Sequence, residues 1–558
     1  MEHENPGHII TSDKEQTLTF PAFFGATLHR FPNHPALALA GETPLTYKEV
    51  DQRIRALIAL LEKLDVVPGD KVAILSTNMP NWGMSYFAIT FMGAIVVPLL
   101  PEFLPSEIER LLEHSGSKVI FVSENLLPKL NGVRSGLLPT IIKTDDFSLF
   151  KGVTDEVLFQ PDALPRINYN VDEDDLAAII YTSGTTGNPK GVMLTHKNIC
   201  FTAIKGHETQ PISENDRFLC VLPLSHTYEN TLGFILPVYR GACVYYLSKP
   251  PTPSVLLPAL QAVKPTIMLT VPLIIEKIYR SKILPAFTDK WFIRQLYKIP
   301  FLRIKLNRIA GKKLIETFGG QIHFFGVGGA KLNKTVEKFL IEARFPYAVG
   351  YGLTESAPLL AGFNPHDAKL QTTGPAVRGV ELKIHDPDPR TGEGEVWAKG
   401  PNIMKGYYNE PALTREVLTA DGWLKTGDLG VFDDENYLSI KGRVKNMIVR
   451  ANGENIYPED IESVINDFHH VVESLVLEKK GKLVALVHFN KEEIEQRYQH
   501  LKEEVTDFVD QKTEELRLEL QAYVNSRVNR ISQVQLIVAQ PDPFQKTATL
   551  KIKRFLYA

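Results

Sequence analysis

The sequence predicts an α/β protein of layered, largely parallel sheets, with a small β-rich segment and a compact unit at its C-terminal end. Three observations carry that expectation. Helix-like and strand-like patterns alternate along most of the chain, the composition shifts near Gly392, and 558 residues exceed one ordinary hydrophobic core.

The alternation opens at residue 46, where TYKEVDQRIRALIALLEKL places apolar residues at helical spacing. KVAIL at 71–75 follows as a short buried strand. Residues 86–101, YFAITFMGAIVVPLLP, are apolar enough to raise a membrane span. The run is shorter than the roughly 20 residues a span needs, and Gly93 and Pro98 interrupt it. A buried helix turning into a buried strand is the expectation. The same rhythm recurs through VSENLLPKL, LAAII, CVLPLSHTYE, ACVYYLS and PTIMLTVP. Beyond Gly392, GEGEVWAKG, NYLSIKGR and the turn at Asp421-Gly422 predict the β-rich segment. After Lys445 a compact α/β unit is expected, and its charged stretch 491–530 reads as a solvated helical hairpin. No repeat of solenoid period is present.

Lys and Arg number 62 against 65 Asp and Glu, a balance that gives no reason to expect a nucleic-acid partner. Cys200, Cys220 and Cys243 form neither a metal pattern nor a disulfide framework, which fits a reducing compartment. The N-terminus, MEHENPGHIITSDKEQ, lacks the basic start and apolar centre of a secretion signal.

The most informative segment is YTSGTTGNPKGVMLTH at 181–196. Gly184, Gly187 and Gly191 permit backbone angles that let amide groups converge on an anion. Ser183, Thr185 and Thr186 add hydroxyl donors, and Lys190 adds a mobile positive charge. These are the needs of a triphosphate. The Walker pattern is absent, since Lys190 follows Pro189 and precedes Gly191. Composition alone would equally describe a surface turn.

Further motifs follow in order. GVGGAKL at 326–332 offers a diglycine turn at Gly328 and Gly329, a weak signal by itself. In YGLTESAP at 351–358, Tyr351 has a flat face for a purine, Thr354 a hydroxyl, and Glu355 the hard oxygen that magnesium prefers. An isolated acidic residue there would more often be a helix cap. Asp428 lies in TGDLGVFDDENYLSIKGRVKNMI, which also contains Arg443 and Lys445. In NGENIYPEDIES, Pro458 and the acids after it mark a helix start. LPLSHTYENTLG holds a lone histidine, His226, and FQKTATLKIKRF holds Lys546, Lys551 and Lys553.

Together these motifs, spanning residues 46–554, resemble the adenylate-forming (AMP-binding) superfamily, and within it the bacterial long-chain fatty acid–CoA ligases. The resemblance implies a large N-terminal domain, 1–442, and a small mobile α+β domain, 443–558, in the acyl-CoA synthetase/luciferase-like arrangement. It assigns the triphosphate to Thr182, Ser183, Gly184, Thr185, Thr186, Gly187 and Lys190, and magnesium to Thr185 and Glu355. Adenine and phosphate fall to Gly328, Gly329, Ala330, Tyr351, Gly352 and Thr354, and ribose to Asp428 and Arg443. Lys445 is the implied hinge, and Gly453 the loop that approaches in the thioester-forming state. Lys551 is the implied catalytic lysine, although Leu550 replaces the commoner glycine before it; His226 stands beside the acyl carboxylate. Ala357 and Pro358 are candidates for the acyl pocket, and Tyr228 and Phe234 could gate it, although core packing is the favoured reading of both.

The implied reaction activates a fatty acid with ATP and magnesium to an acyl-adenylate, then passes it to coenzyme A. Rival readings are transfer to acyl carrier protein, arrest at the fatty acyl-adenylate, a non-catalytic nucleotide-binding module, and an oxidative light-emitting role. A soluble, cytoplasmic protein is expected, with peripheral membrane association through its substrate left open. Oligomeric state is not legible.

Overall fold

The computed structural model describes residues 17–137, 140–151, 169–182, 189–449, 455–490, 505–547 and 551–557. Two large sheets dominate. In the first, seven strands run in the order Tyr347–Val349, Phe324–Val327, Ile267–Thr270, Arg217–Cys220, Cys243–Tyr246, Pro35–Leu39 and Leu45–Thr46, parallel except at the last pair. In the second, eight strands are centred on Ile95–Leu99 and Lys71–Leu75, with the antiparallel pair Leu176–Thr182 and Lys190–Thr195 near one edge. The buried strands read as nearly continuous apolar runs because both faces are covered.

The helix over Tyr47–Lys63 starts where Thr46 and Glu49 form a capping box, and its Val50, Ile54, Leu57 and Leu61 are buried. Helix Pro80–Phe91 and strand Ile95–Leu99 occupy the apolar run at 86–101, almost wholly buried. The helix-to-strand expectation there is met. The largest core joins both sheets, with Leu37 and Val244 from one and Val72, Val96 and Ala178 from the other. Among the described residues, no helix is long and apolar enough to cross a membrane.

The β-rich segment is a four-stranded antiparallel sheet, Glu381–His385, Gly394–Lys399, Leu424–Phe432 and Leu438–Arg443. It begins before Gly392; ELKIH escapes notice because its side chains are half-buried or exposed and so give little apolar contrast. The C-terminal unit has its own core around Ile461, Leu483, Ala485, Leu516 and Leu520. Its strands Val471–Lys479, Lys482–Phe489 and Leu536–Ala539 carry helices Pro458–Asn466 and Val505–Asn525. The expected solvated hairpin needs correcting in its described part: Leu516, Leu520 and Val524 are buried, four residues apart on one helix face. Residues 491–504 lie outside the described residues.

The contacts joining this unit to the rest of the chain include a run of polar ones. Lys331 pairs with Asp460 at 2.7 Å, and Asn333 donates to Asp467 at 2.8 Å. Thr335 donates to the same carboxylate at 3.2 Å, and Tyr457 donates to Glu393 at 2.5 Å.

Candidate active site

The site is assembled from strand ends and from the tail of the C-terminal unit. Thr182 closes strand Leu176–Thr182 and lies in register opposite Lys190, which opens the next strand. Ser183, Gly184, Thr185, Thr186 and Gly187 between them lie outside the described residues, as does Gly453. Lys190 places its ammonium 5.1 Å from the centre of the Tyr407 ring. The Tyr407 hydroxyl donates to Glu355 Oε1 at 2.8 Å. Tyr407 itself sits on a two-residue strand beside Val192 and Met193. One tyrosine therefore couples the base of the phosphate loop to the acidic residue.

Glu355 is half-buried, and among the described residues its Oε2 has no hydrogen-bond donor. A hard oxygen with no donor among the described residues fits magnesium, which binds through one or two carboxylates plus substrate phosphates. The ion would neutralise charge on the leaving pyrophosphate. Tyr407→Phe removes the hydroxyl that orients this carboxylate. We expect pyrophosphate release to need more magnesium, with a rate loss of about ten-fold for one lost hydrogen bond to a charged group. A magnesium titration of the variant checks this.

Tyr351 is buried, and its hydroxyl donates to Asp428 Oδ2 at 2.8 Å. Arg443 Nε meets Asp428 Oδ1 at 2.7 Å, across strands whose register sets the two residues opposite each other. Burial pushes the Asp428 carboxyl up; Arg443, then Tyr351 and Lys551, oppose that rise. Gly352 is required by shape: an added β-carbon would fall 1.6 Å from the Pro358 carbonyl oxygen. Thr354 and Glu355 lie on the short turn Thr354–Ser356 that follows.

Gly328 is buried beyond the end of strand Phe324–Val327, whereas Gly329 and Ala330 are exposed. A β-carbon on Gly328 would sit 3.0 Å from the Tyr228 ring, so the diglycine admits that tyrosine as well as any base. His226 begins a turn leading into a π-helical stretch, Glu229–Ile235, whose side chains are all buried. The sequence reading missed Glu229, which burial pushes up to about 8. Burial, with repulsion from Lys551, holds His226 down at about 4, so the ring is neutral at physiological pH.

Lys551 stands among these groups. Crowding by protein atoms lowers its pKa and Arg443 adds repulsion, while Asp428 and Glu355 act the other way. The residue is exposed to solvent by surface area, and the Thr547 amide donates to its carbonyl at 2.8 Å. Lys546 is committed elsewhere, paired with Glu473 at 2.6 Å. Lys445 is exposed on the turn Val444–Asn446. The structure thus brings together Lys190, His226, Glu355, Asp428, Arg443 and Lys551, drawn from more than 300 residues of chain.

Residues 24–408 match the family described as AMP-binding enzyme. The chain belongs to the AMP-binding enzyme family. Among relatives, 4-coumarate–CoA ligase 1 of Arabidopsis thaliana is 30% identical over 468 residues, which cover 79% of this chain and 77% of that protein. Among solved structures, o-succinylbenzoate coenzyme A synthetase (MenE) of Bacillus subtilis, in complex with ATP and magnesium, superposes with a TM-score of 0.74 at 23% identity over 96% of this chain and 98% of its own. A Mycobacterium tuberculosis fatty acyl CoA synthetase gives 0.66 at 23% identity, with 98% of each chain covered. The fold of this AMP-binding enzyme is the acyl-CoA synthetase/luciferase-like one anticipated from its sequence. Its chemistry is that of an AMP-forming acid–CoA ligase, with ATP, magnesium and coenzyme A fitting the class.

An apolar cavity of about 60 Å³ opens beside the site, lined by Tyr228, Leu232, Leu236, Leu269, Phe324 and Val349 among others. Phe234 does not line it; that ring is buried in the core against Trp82 and Phe87. Ala357 and Pro358 do not line it either, although the adjoining Leu359 does.

Proposed function

We propose that the acid is a long-chain fatty acid and that this cavity is the head of its channel. The lining is the observation that carries the reading. Thr209 and Gln210 contribute a side-chain hydroxyl and amide to the lining, and both are engaged: Thr209 donates to the Lys205 carbonyl at 2.9 Å, and Gln210 accepts from Asn364 at 2.9 Å. The Tyr228 hydroxyl lies close to Gly326 and Gly328, and burial keeps it protonated. A methylene chain needs no polar partner, whereas a phenolic hydroxyl would find few polar groups along so apolar a lining.

In this reading the fatty-acid carboxylate oxygen attacks the α-phosphorus of ATP, and the bond to pyrophosphate breaks. Lys551 aligns the carboxylate with the α-phosphate, because negative charge gathers on both as they approach. Lys190 and the loop amides hold the departing phosphates, and Asp428 and Arg443 hold the ribose. Neutral His226 packs beside the acyl carboxylate without adding charge. The division 1–442 and 443–558 then serves the second step: rotation about Lys445 withdraws Lys551 and brings up the Gly453 loop. The coenzyme A sulfur attacks the acyl carbonyl and AMP leaves.

A second reading, an aryl acid, has the names of the 4-coumarate–CoA ligases in its favour. Pyrophosphate release with palmitate and with 4-coumarate, each with and without coenzyme A, separates the two. Palmitate is expected to exceed 4-coumarate by about ten-fold or more in kcat/KM, the scale on which apolar pockets discriminate. The reverse order would assign the pocket to aryl acids. Release indifferent to coenzyme A would point to another acceptor.

A further inference from the structure

Residues 290–313, KWFIRQLYKIPFLRIKLNRIAGKK, hold eight Lys or Arg and no Asp or Glu, in a chain whose net charge is −3. They fold as two consecutive helices, Trp291–Tyr297 and Pro300–Thr317. The inner side is ordinary: Ile293, Tyr297, Leu306 and Ala310 pack on the core, and Tyr297 stacks on Phe287 with ring centroids 4.7 Å apart. The outer side is not. Trp291 is 71% exposed, Phe301 65% and Ile309 56%, and Phe292, Leu296 and Ile299 are exposed beside them. Phe301, Lys305 and Ile309 recur every fourth residue, with Arg308, Lys312 and Lys313 close by on the same helical face. Among the described residues only Arg303 of the eight bases pairs with a carboxylate, Glu342 at 2.8 Å. Lys305 instead lies 4.3 Å from the centre of the Phe301 ring.

An exposed apolar strip of this size has a cost in water that a free surface does not repay. We propose that this helical pair docks the protein on an anionic lipid bilayer, the large apolar side chains entering the headgroup boundary and the bases meeting lipid phosphates. Tryptophan and phenylalanine suit that boundary, and an amphipathic helix with a Lys/Arg-rich rim lies in its plane. Charge decides the partner. Seven bases without a carboxylate among the described residues call for a dense negative surface, and the aliphatic Leu296, Ile299 and Ile309 have no counterpart on a nucleic-acid backbone. The inference uses neither the catalytic residues nor the acyl cavity, so it stands or falls separately from the fatty-acid reading.

The test mixes the full-length protein, without ATP or any acid, with vesicles of phosphatidylcholine alone or with added phosphatidylglycerol, followed by sedimentation. Protein is expected to pellet with the anionic vesicles and to be released by high salt. The triple variant Lys290→Glu, Arg294→Glu, Lys298→Glu should weaken binding about a hundred-fold, at roughly five-fold per base. The double variant Trp291→Ala, Phe301→Ala should weaken it about ten-fold or more through lost insertion. Arg303 is left in place because it holds Glu342. The two variant sets probe charge and insertion independently, so misfolding of one leaves the other decisive. Failure to pellet, equal binding to both vesicle types, or binding that survives in both variants would overturn the proposal. So would a stable dimer abolished by the same substitutions, or preferential binding of single-stranded RNA.

Discussion

Lys551→Ala is expected to lower pyrophosphate release on the order of a thousand-fold while leaving thioester formation from supplied acyl-adenylate nearly unchanged. The magnitude is that of removing one preorganised charge from a site where charge develops. The asymmetry follows from the proposed rotation: in the posture described, the charges of Arg443, Asp428 and Glu355 act on Lys551, and Lys551 in turn acts on His226, whereas rotation about Lys445 would withdraw it. We expect the same lysine to set the alkaline limb of the adenylation rate. Its crowded surroundings lower its pKa below the ordinary lysine value, so the ammonium is lost, and the rate with it, at lower pH than for a free lysine. Single-turnover measurements of each half-reaction against pH check both statements. Equal loss of both half-reactions would remove Lys551 from the first.

Gly352→Ala is the second large effect, and its cause is shape. The added methyl would fall 1.6 Å from the Pro358 carbonyl oxygen and 2.7 Å from its carbonyl carbon, both backbone atoms that no rotamer can move. That oxygen also accepts from the Leu353 amide at 3.0 Å and from the Ser356 hydroxyl at 2.8 Å, so the turn carrying Thr354 and Glu355 must shift as a whole. We expect a loss of about 3 kcal/mol or more in stability, the upper range for overpacking, with activity reduced further because Glu355 moves. A thermal melt combined with a magnesium titration measures the two parts. A variant with wild-type melting and activity would show that the turn is softer than its packing implies.

Much of this architecture was legible in the sequence. The buried strands Lys71–Leu75, Cys243–Tyr246 and Ile267–Thr270 come from short apolar runs bounded by polar residues or proline, a pattern that needs no partner to recognise. Asp428 and Arg443 could be named from their motif, but their pairing depends on strand register, which is a property of two segments at once. Tyr407 was missed for the same reason in stronger form. It lies 52 positions from Glu355 on a strand of two residues, and its hydroxyl becomes important only once a sheet edge brings it to the carboxylate. The buried face of helix Val505–Asn525 was hidden by composition: Leu516, Leu520 and Val524 are three apolar residues among many charges.

The seam between the C-terminal unit and the body has a thermodynamic consequence of its own. Lys331 and Asp460 are each about a third or more exposed, and exposed ion pairs of this kind are worth between nothing and about 1 kcal/mol. Asn333, Thr335 and Arg280 all converge on the single carboxylate of Asp467, so these bonds are made or broken together. Such a seam works as a detent: it defines one posture sharply in angle yet holds it in a shallow well. Its polar groups would find equivalent partners in water in the proposed rotation, so little would be lost by leaving. In the proposed rotation about Lys445, the occupant of the nucleotide cleft, more than this seam, would decide which posture prevails, because a shallow well is tipped by whichever ligand contacts differ between the two.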